Sequence, residues 1–231
     1  MQYNYGSAIT PKITVKLDGN ALSDDDYTAT LKSEDKLINA GKYTLKYEIK
    51  GKGNCSGTVE AEAVLTIGKA PIGANVYFNG KKICDAGNES FTLADQAYTG
   101  KAIEPGKFTL DDEWYSGRGL KEGTDYTVTY TDNTNVGTAT VTIKPAESGN
   151  YFFEGYDEGT VIDEITGTFN IVDSYGIIPV EDKINAIGNV TLDSATAINE
   201  ARTAYDALDK DAQQYVSNYE TLTKAEATLE K

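Results

Sequence analysis

The chain has 231 residues, with 36 acidic against 21 basic side chains, a formal net charge of -15 and no histidine. Without histidine the commonest general base, the commonest zinc ligand and the second member of Ser/His or Cys/His pairs are all missing, and an acidic chain lacking clustered Lys and Arg does not suit nucleic acid. The length allows two or three small domains, and no apolar run reaches the roughly 20 residues that cross a bilayer.

The first strands are expected at Ile13–Leu17, Tyr27–Leu31, Tyr43–Ile49 and Val59–Ile67, with turns at Asp18-Gly19-Asn20 and Gly51-Lys52-Gly53-Asn54. Asn75–Phe78 and Lys81–Cys84 flank Asn79-Gly80, a strong hairpin signal. Further on, Tyr126, Val128 and Tyr130 alternate with threonines. After Asn135 and Gly137 the same alternation returns through Ala139, Val141 and Ile143. Period two with β-branched and aromatic residues predicts a half-buried hairpin. Many short strands at close spacing predict an all-β sandwich.

The chain also repeats itself. Gly6–Pro11 answers Gly100–Pro105, Asp26-Tyr27-Thr28 answers Asp125-Tyr126-Thr127, Asn39–Leu45 answers Asn135–Val141, and Gly53-Asn54-Cys55 answers Gly149-Asn150-Tyr151. Length changes fall between these motifs, as loops permit and strand registers do not. The run Tyr98–Pro105, then Leu120–Tyr126, Asn133–Ala139 and Gly149-Asn150-Tyr151, resembles the bacterial immunoglobulin-like repeats of the MBG type. That resemblance implies tandem modules in large surface or secreted proteins of Gram-positive gut bacteria. Copy one is the looser relative, since Cys55 replaces the Tyr after Gly-Asn and Asn4 stands where Tyr98 would fall. It also lacks the lead-in strand of copy two, as a piece cut from a longer array would.

From about Pro179 the apolar period becomes 3.6. Ile184 and Ile187, then Ile198, Ala201, Tyr205 and Leu208, then Val216, Tyr219, Leu222 and Leu229 form helical stripes. Asp193 or Ser194 is a candidate N-cap, and Ser217-x-x-Glu220 reads as a capping box that divides the last helix. The stretch resembles the small helical modules that follow such repeats in Firmicute surface proteins. The expected architecture is therefore mainly β: two tandem immunoglobulin-like β-sandwich domains (1–69 and 70–174) followed by a small α-helical bundle (175–231).

Candidate site residues are few. Trp114 and Tyr115 lie where copy two is longer than copy one, and an aromatic pair in a loop either grips a sugar or partner or, as the blander alternative, caps the core. Tyr151, Phe152, Phe153 and Tyr156 form a second aromatic run beside another insertion. Asp24-Asp25-Asp26 and Asp111-Asp112-Glu113 lack the alternating spacing of a calcium loop, so no metal site and no cofactor is expected. Cys55 and Cys84 belong to different repeats and are expected to stay unpaired. The resemblance to MBG-type repeats implies a non-catalytic spacer of a cell-surface or secreted bacterial protein, packed against neighbouring modules. The rivals are an adhesin module for a glycan or host protein and an accessory module of a larger carbohydrate-active enzyme.

Overall fold

The computed structural model describes residues 1–115 and 118–229. The protein is mainly β, with 37% strand against 18% helix, built as several sheets and a few short helices. Three apolar cores follow one another along the chain.

The first core lies on an antiparallel sheet of β3 (Tyr27–Leu31), β4 (Gly41–Gly51) and β5 (Thr58–Ile67), in the order β3-β4-β5. Leu45, Tyr47 and Ile67 project from its inner face onto Leu37. Ahead of it stands a small hairpin, β1 (Lys16–Leu17) and β2 (Asn20–Ala21). The strand expected over Ile13–Leu17 is reduced to Lys16–Leu17. Asp18 and Gly19 turn the chain back with positive φ (50° and 85°), and only two residues on each side find ladder partners.

The second core is the largest. The strands β12 (Tyr126–Thr131), β13 (Gly137–Pro145) and β16 (Ile165–Val172) repeat the antiparallel order of the first sheet, and β9 (Ser90–Thr92) and β10 (Gln96–Ala97) add in parallel along the outer edge of β16. Facing them are β11 (Phe108–Asp112), β7 (Ala74–Phe78) and β8 (Lys81–Cys84), and a third sheet of β15 (Val161–Ile162), β14 (Tyr151–Glu154) and β6 (Ala70–Ile72). The alternation in sequence sets the burial: Ala139, Val141 and Ile143 of β13 are fully enclosed, while the threonines between them are not. Gly167 has no room for a Cβ because the ring of Phe91 lies against it.

The third core is helical, made by α1 (Ile177–Ala186), α2 (Ala195–Asp206), α3 (Lys210–Gln213) and α4 (Tyr219–Leu229). Ile184, Ile198, Ala201 and Leu222 of the sequence stripe are buried, joined by Ile177 and Ala225. Asp173 caps α1, accepting the amides of Ile177 and Ile178 at 2.8 and 3.1 Å, and this lets Pro179 sit harmlessly in the first turn. Arg202 reaches across from α2 to Glu226 of α4 with two bonds of 2.6 Å, beside the stacked rings of Tyr205 and Tyr219.

Two sequence readings need correction. Ser217 makes no capping box with Glu220. Its amide and hydroxyl both donate to Glu181 of α1, at 2.7 and 2.6 Å, because that buried carboxylate meets no cation among the described residues and needs donors. Nor does Asn4 take the place of Tyr98. The amide of Tyr3 donates to Gly68 and that of Tyr98 to Val172, both at 2.8 Å, at the same point of the parallel ladder, so copy one keeps the tyrosine one residue earlier. Both cysteines are free thiols. Cys84 is enclosed in the second core, and burial pushes its thiol pKa up.

Candidate binding cleft

The loop after β11 is anchored before it carries its aromatic residues outward. Asp112 is buried, accepts the Trp114 amide at 3.1 Å and pairs with Arg118 at 2.8 Å. Burial raises the Asp112 carboxyl pKa, against the opposing pull of the Trp114 amide and the Arg118 charge. One residue on, the Glu113 amide donates to the Gly73 carbonyl at 2.8 Å, drawing the loop onto the strand connection below.

Trp114 then lies against small residues. A Cβ on Gly73 would stand 3.0 Å from its indole, with the Ala86 methyl equally close. The ring of Tyr156 covers the next small residue in the same way: a Cβ on Gly87 would come within 2.7 Å of it, and Gly87 has φ +86°. Neither ring is hidden, with Trp114 37% and Tyr156 64% exposed. Tyr115, 51% exposed, continues the row. The Arg118 guanidinium lies 3.8 Å from the ring centre of Tyr5 and 4.4 Å from that of Tyr115, a double cation–π contact that ties the first residues of the chain to this loop.

Together Tyr5, Pro71, Trp114, Tyr115, Tyr156 and two carboxylates, Glu154 and Glu158, line an open cleft of about 450 Å³. Glu154 is held in place by accepting the Gly159 amide at 2.7 Å. Aromatic faces beside carboxylate acceptors are suited to stacking on a sugar ring while accepting its hydroxyls.

The two aromatic runs of the sequence thus meet in part. Trp114, Tyr115 and Tyr156 share the cleft, and Trp114 rests on the core while remaining open to solvent. Phe153 is corrected: it points into the second core with no exposure, since alternate residues of β14 face inward. Tyr151 is also inside, 7% exposed, packed edge-on to Tyr3 at 5.4 Å, and Phe152 is half-buried outside the cleft lining. Sequence reasoning missed Tyr5, whose only signal was its place as the second of two tyrosines, with Tyr3, in the first six residues.

Neither acidic cluster resembles a metal site. Asp26 accepts the Ser23 amide and Asp24 the Tyr27 hydroxyl within one turn, while Asp111 and Glu113 bind the Asn75 amide group. Among the described residues no three Cys, Asp or Glu side chains converge to hold a metal, and no helix is long and apolar enough to cross a membrane. No protein-family model matches the chain, and no curated protein does.

Proposed function

We propose that the chain is a non-catalytic segment of a bacterial cell-surface or secreted protein, two immunoglobulin-like sandwiches and a helical bundle that act as a stalk. One observation carries this reading. Tyr3 packs on both the first and the second core, and its counterpart Tyr98 packs on both the second core and the helical one. The same residue, at the same point of each repeat, closes the join to the next module. The second join is strengthened by the Tyr98 hydroxyl, which donates to Glu181 at 3.3 Å. A chain that fixes each module to the next resists bending, as a spacer should. The motifs shared with MBG-type repeats and the acidic surface, which keeps crowded molecules apart, fit the same use. Small-angle scattering of the whole chain tests it: a single extended envelope is expected, broadening when Tyr3 and Tyr98 are both replaced by Ala. Independently tumbling modules in the unaltered chain would defeat the reading.

The exposed row of Trp114, Tyr115 and Tyr156 favours a second reading, an adhesive module for a glycan or host protein. Screening on a glycan array, with Trp114→Ala and Tyr156→Ala as controls, decides it. Binding lost in both variants while the unfolding transition stays cooperative would place recognition in the cleft.

A further inference from the structure

Four polar side chains are buried among the described residues: Asn75, Asp112, Glu154 and Glu181. Three of them are held by several partners. Asn75 bonds Asp111, Glu113 and the Ala86 amide, Asp112 holds Arg118 and the Trp114 amide, and Glu181 takes the Ser217 amide and hydroxyl with the Tyr98 hydroxyl. Glu154 accepts only the Gly159 amide, through Oε1. Its Oε2 accepts no hydrogen bond and meets no cation among the described residues, and the side chain lines the aromatic cleft. A buried carboxylate so placed is short of donors.

The chain itself shows, in the same row of rings, what such a carboxylate takes. Asp112, also buried, holds the Arg118 guanidinium at 2.8 Å, and that guanidinium rests on the rings of Tyr5 and Tyr115, 3.8 and 4.4 Å from their centres. Carboxylate, aromatic faces and guanidinium form one unit. Further along the cleft Glu154 stands with Trp114 and Tyr156, and the exposed Glu158 adds a second negative charge. No lysine or arginine is among the described lining residues. Carboxylate and aromatic faces are therefore repeated, and the remaining component is a cation that a ligand can bring.

We propose that this cleft holds an arginine side chain of a partner protein, whose guanidinium pairs with Glu154 against the rings of Trp114 and Tyr156. The inference rests on the adhesive reading and narrows it, choosing a basic protein surface over a glycan. A neutral sugar can donate hydroxyls to Glu154 but leaves its charge and that of Glu158 unmatched. A quaternary ammonium matches the charge but has no N–H to donate. Lysine donates, yet its strongly hydrated ammonium stacks less well than a planar guanidinium. The chain's net charge of -15 draws basic partners toward it.

The probe is acetyl-Gly-Arg-Gly-amide, titrated into the whole chain and followed by the emission of its single tryptophan. A saturable change is expected. The citrulline peptide, which has the shape without the charge, should bind about tenfold more weakly, with the lysine peptide in between. Glu154→Gln keeps an oxygen for the Gly159 amide and is expected to lose about tenfold in affinity. Glu158→Gln, at an exposed position, should lose less. Equal binding of the arginine and citrulline peptides, or affinity unchanged in both variants, would overturn the proposal. The glycan array, run beside this titration, separates it from the reading on which it rests. A glycan bound through Trp114 while the arginine peptide is not bound ends the inference and leaves an adhesive cleft, whereas silence in both ends both.

Discussion

Asn150 and Asn39, 111 residues apart in sequence, meet across the first join: the Asn150 amide group donates to Asn39 Oδ1 at 3.2 Å, and Asn150 Oδ1 accepts the Ala40 amide at 2.7 Å. Both belong to repeated motifs, Asn-Ala-Gly of copy one and Gly-Asn-Tyr of copy two. Gly149 beside them is obligatory, since a Cβ there would stand 2.8 Å from the Thr124 carbonyl. Asn150→Ala leaves the Ala40 amide without its partner and is expected to cost about 1–2 kcal/mol. The equivalent Asn54, which is exposed, serves as control: Asn54→Ala should be nearly neutral in the same denaturant titration.

The second join depends on Glu181. Its carboxylate accepts the Ser217 amide and hydroxyl and the Tyr98 hydroxyl, while its own carbonyl accepts from Asn218 at 2.9 Å. Glu181→Ala strands several half-buried donors at once, and a loss of about 2–4 kcal/mol is expected, confined to the helical module. Hydrogen exchange resolved by segment should show α1 and α4 losing protection while β12 and β13 keep theirs.

Tyr47 offers the opposite case. Its hydroxyl is buried and has no hydrogen-bond partner among the described residues, a cost without a return. Tyr47→Phe is expected to raise the stability of the first module by about 1 kcal/mol. A lower melting temperature in the variant would mean that the hydroxyl has a partner in solution.

Much of this fold is legible in sequence because the signals are local. The alternation of Tyr126–Thr131 and Gly137–Pro145, the Asn79-Gly80 turn and the stripe through Ile184, Ile198 and Leu222 depend only on neighbours along the chain. What escapes is whatever depends on distant pairing. Glu181 looks like a surface carboxylate of a helix until α4 and Tyr98 close over it, and Phe153 looks like part of an aromatic surface until the pleat of β14 turns it inward. The cleft is half legible: insertions marked Trp114, Tyr115 and Tyr156, but the floor of Gly73, Ala86 and Gly87 comes from segments far from them in sequence.

Alkali should loosen the first join through Tyr151. Burial, with the neighbouring Tyr3, pushes its phenol pKa up to about 12 from an ordinary value near 10. A raised pKa in the folded state means that its stabilising effect is whole below about pH 10 and is lost as pH climbs through about 12. Tyr151→Phe should flatten that part of the stability profile, measured by denaturant midpoints across the range.

The single tryptophan makes the cleft floor measurable by fluorescence. Gly73→Ala would place a methyl 3.0 Å from the Trp114 indole, and the backbone of Gly73 is fixed by the bond its carbonyl accepts from Glu113, so the ring must move. A red shift in emission is expected, with a stability cost of about 1–3 kcal/mol from overpacking. Trp114→Ala in the unaltered background should cost less than the ~3–5 kcal/mol of a fully buried aromatic, because the residue is already 37% exposed. Unchanged emission in Gly73→Ala, or a full core penalty for Trp114→Ala, would mean that the indole lies inside the module and that the cleft has no aromatic wall at this point.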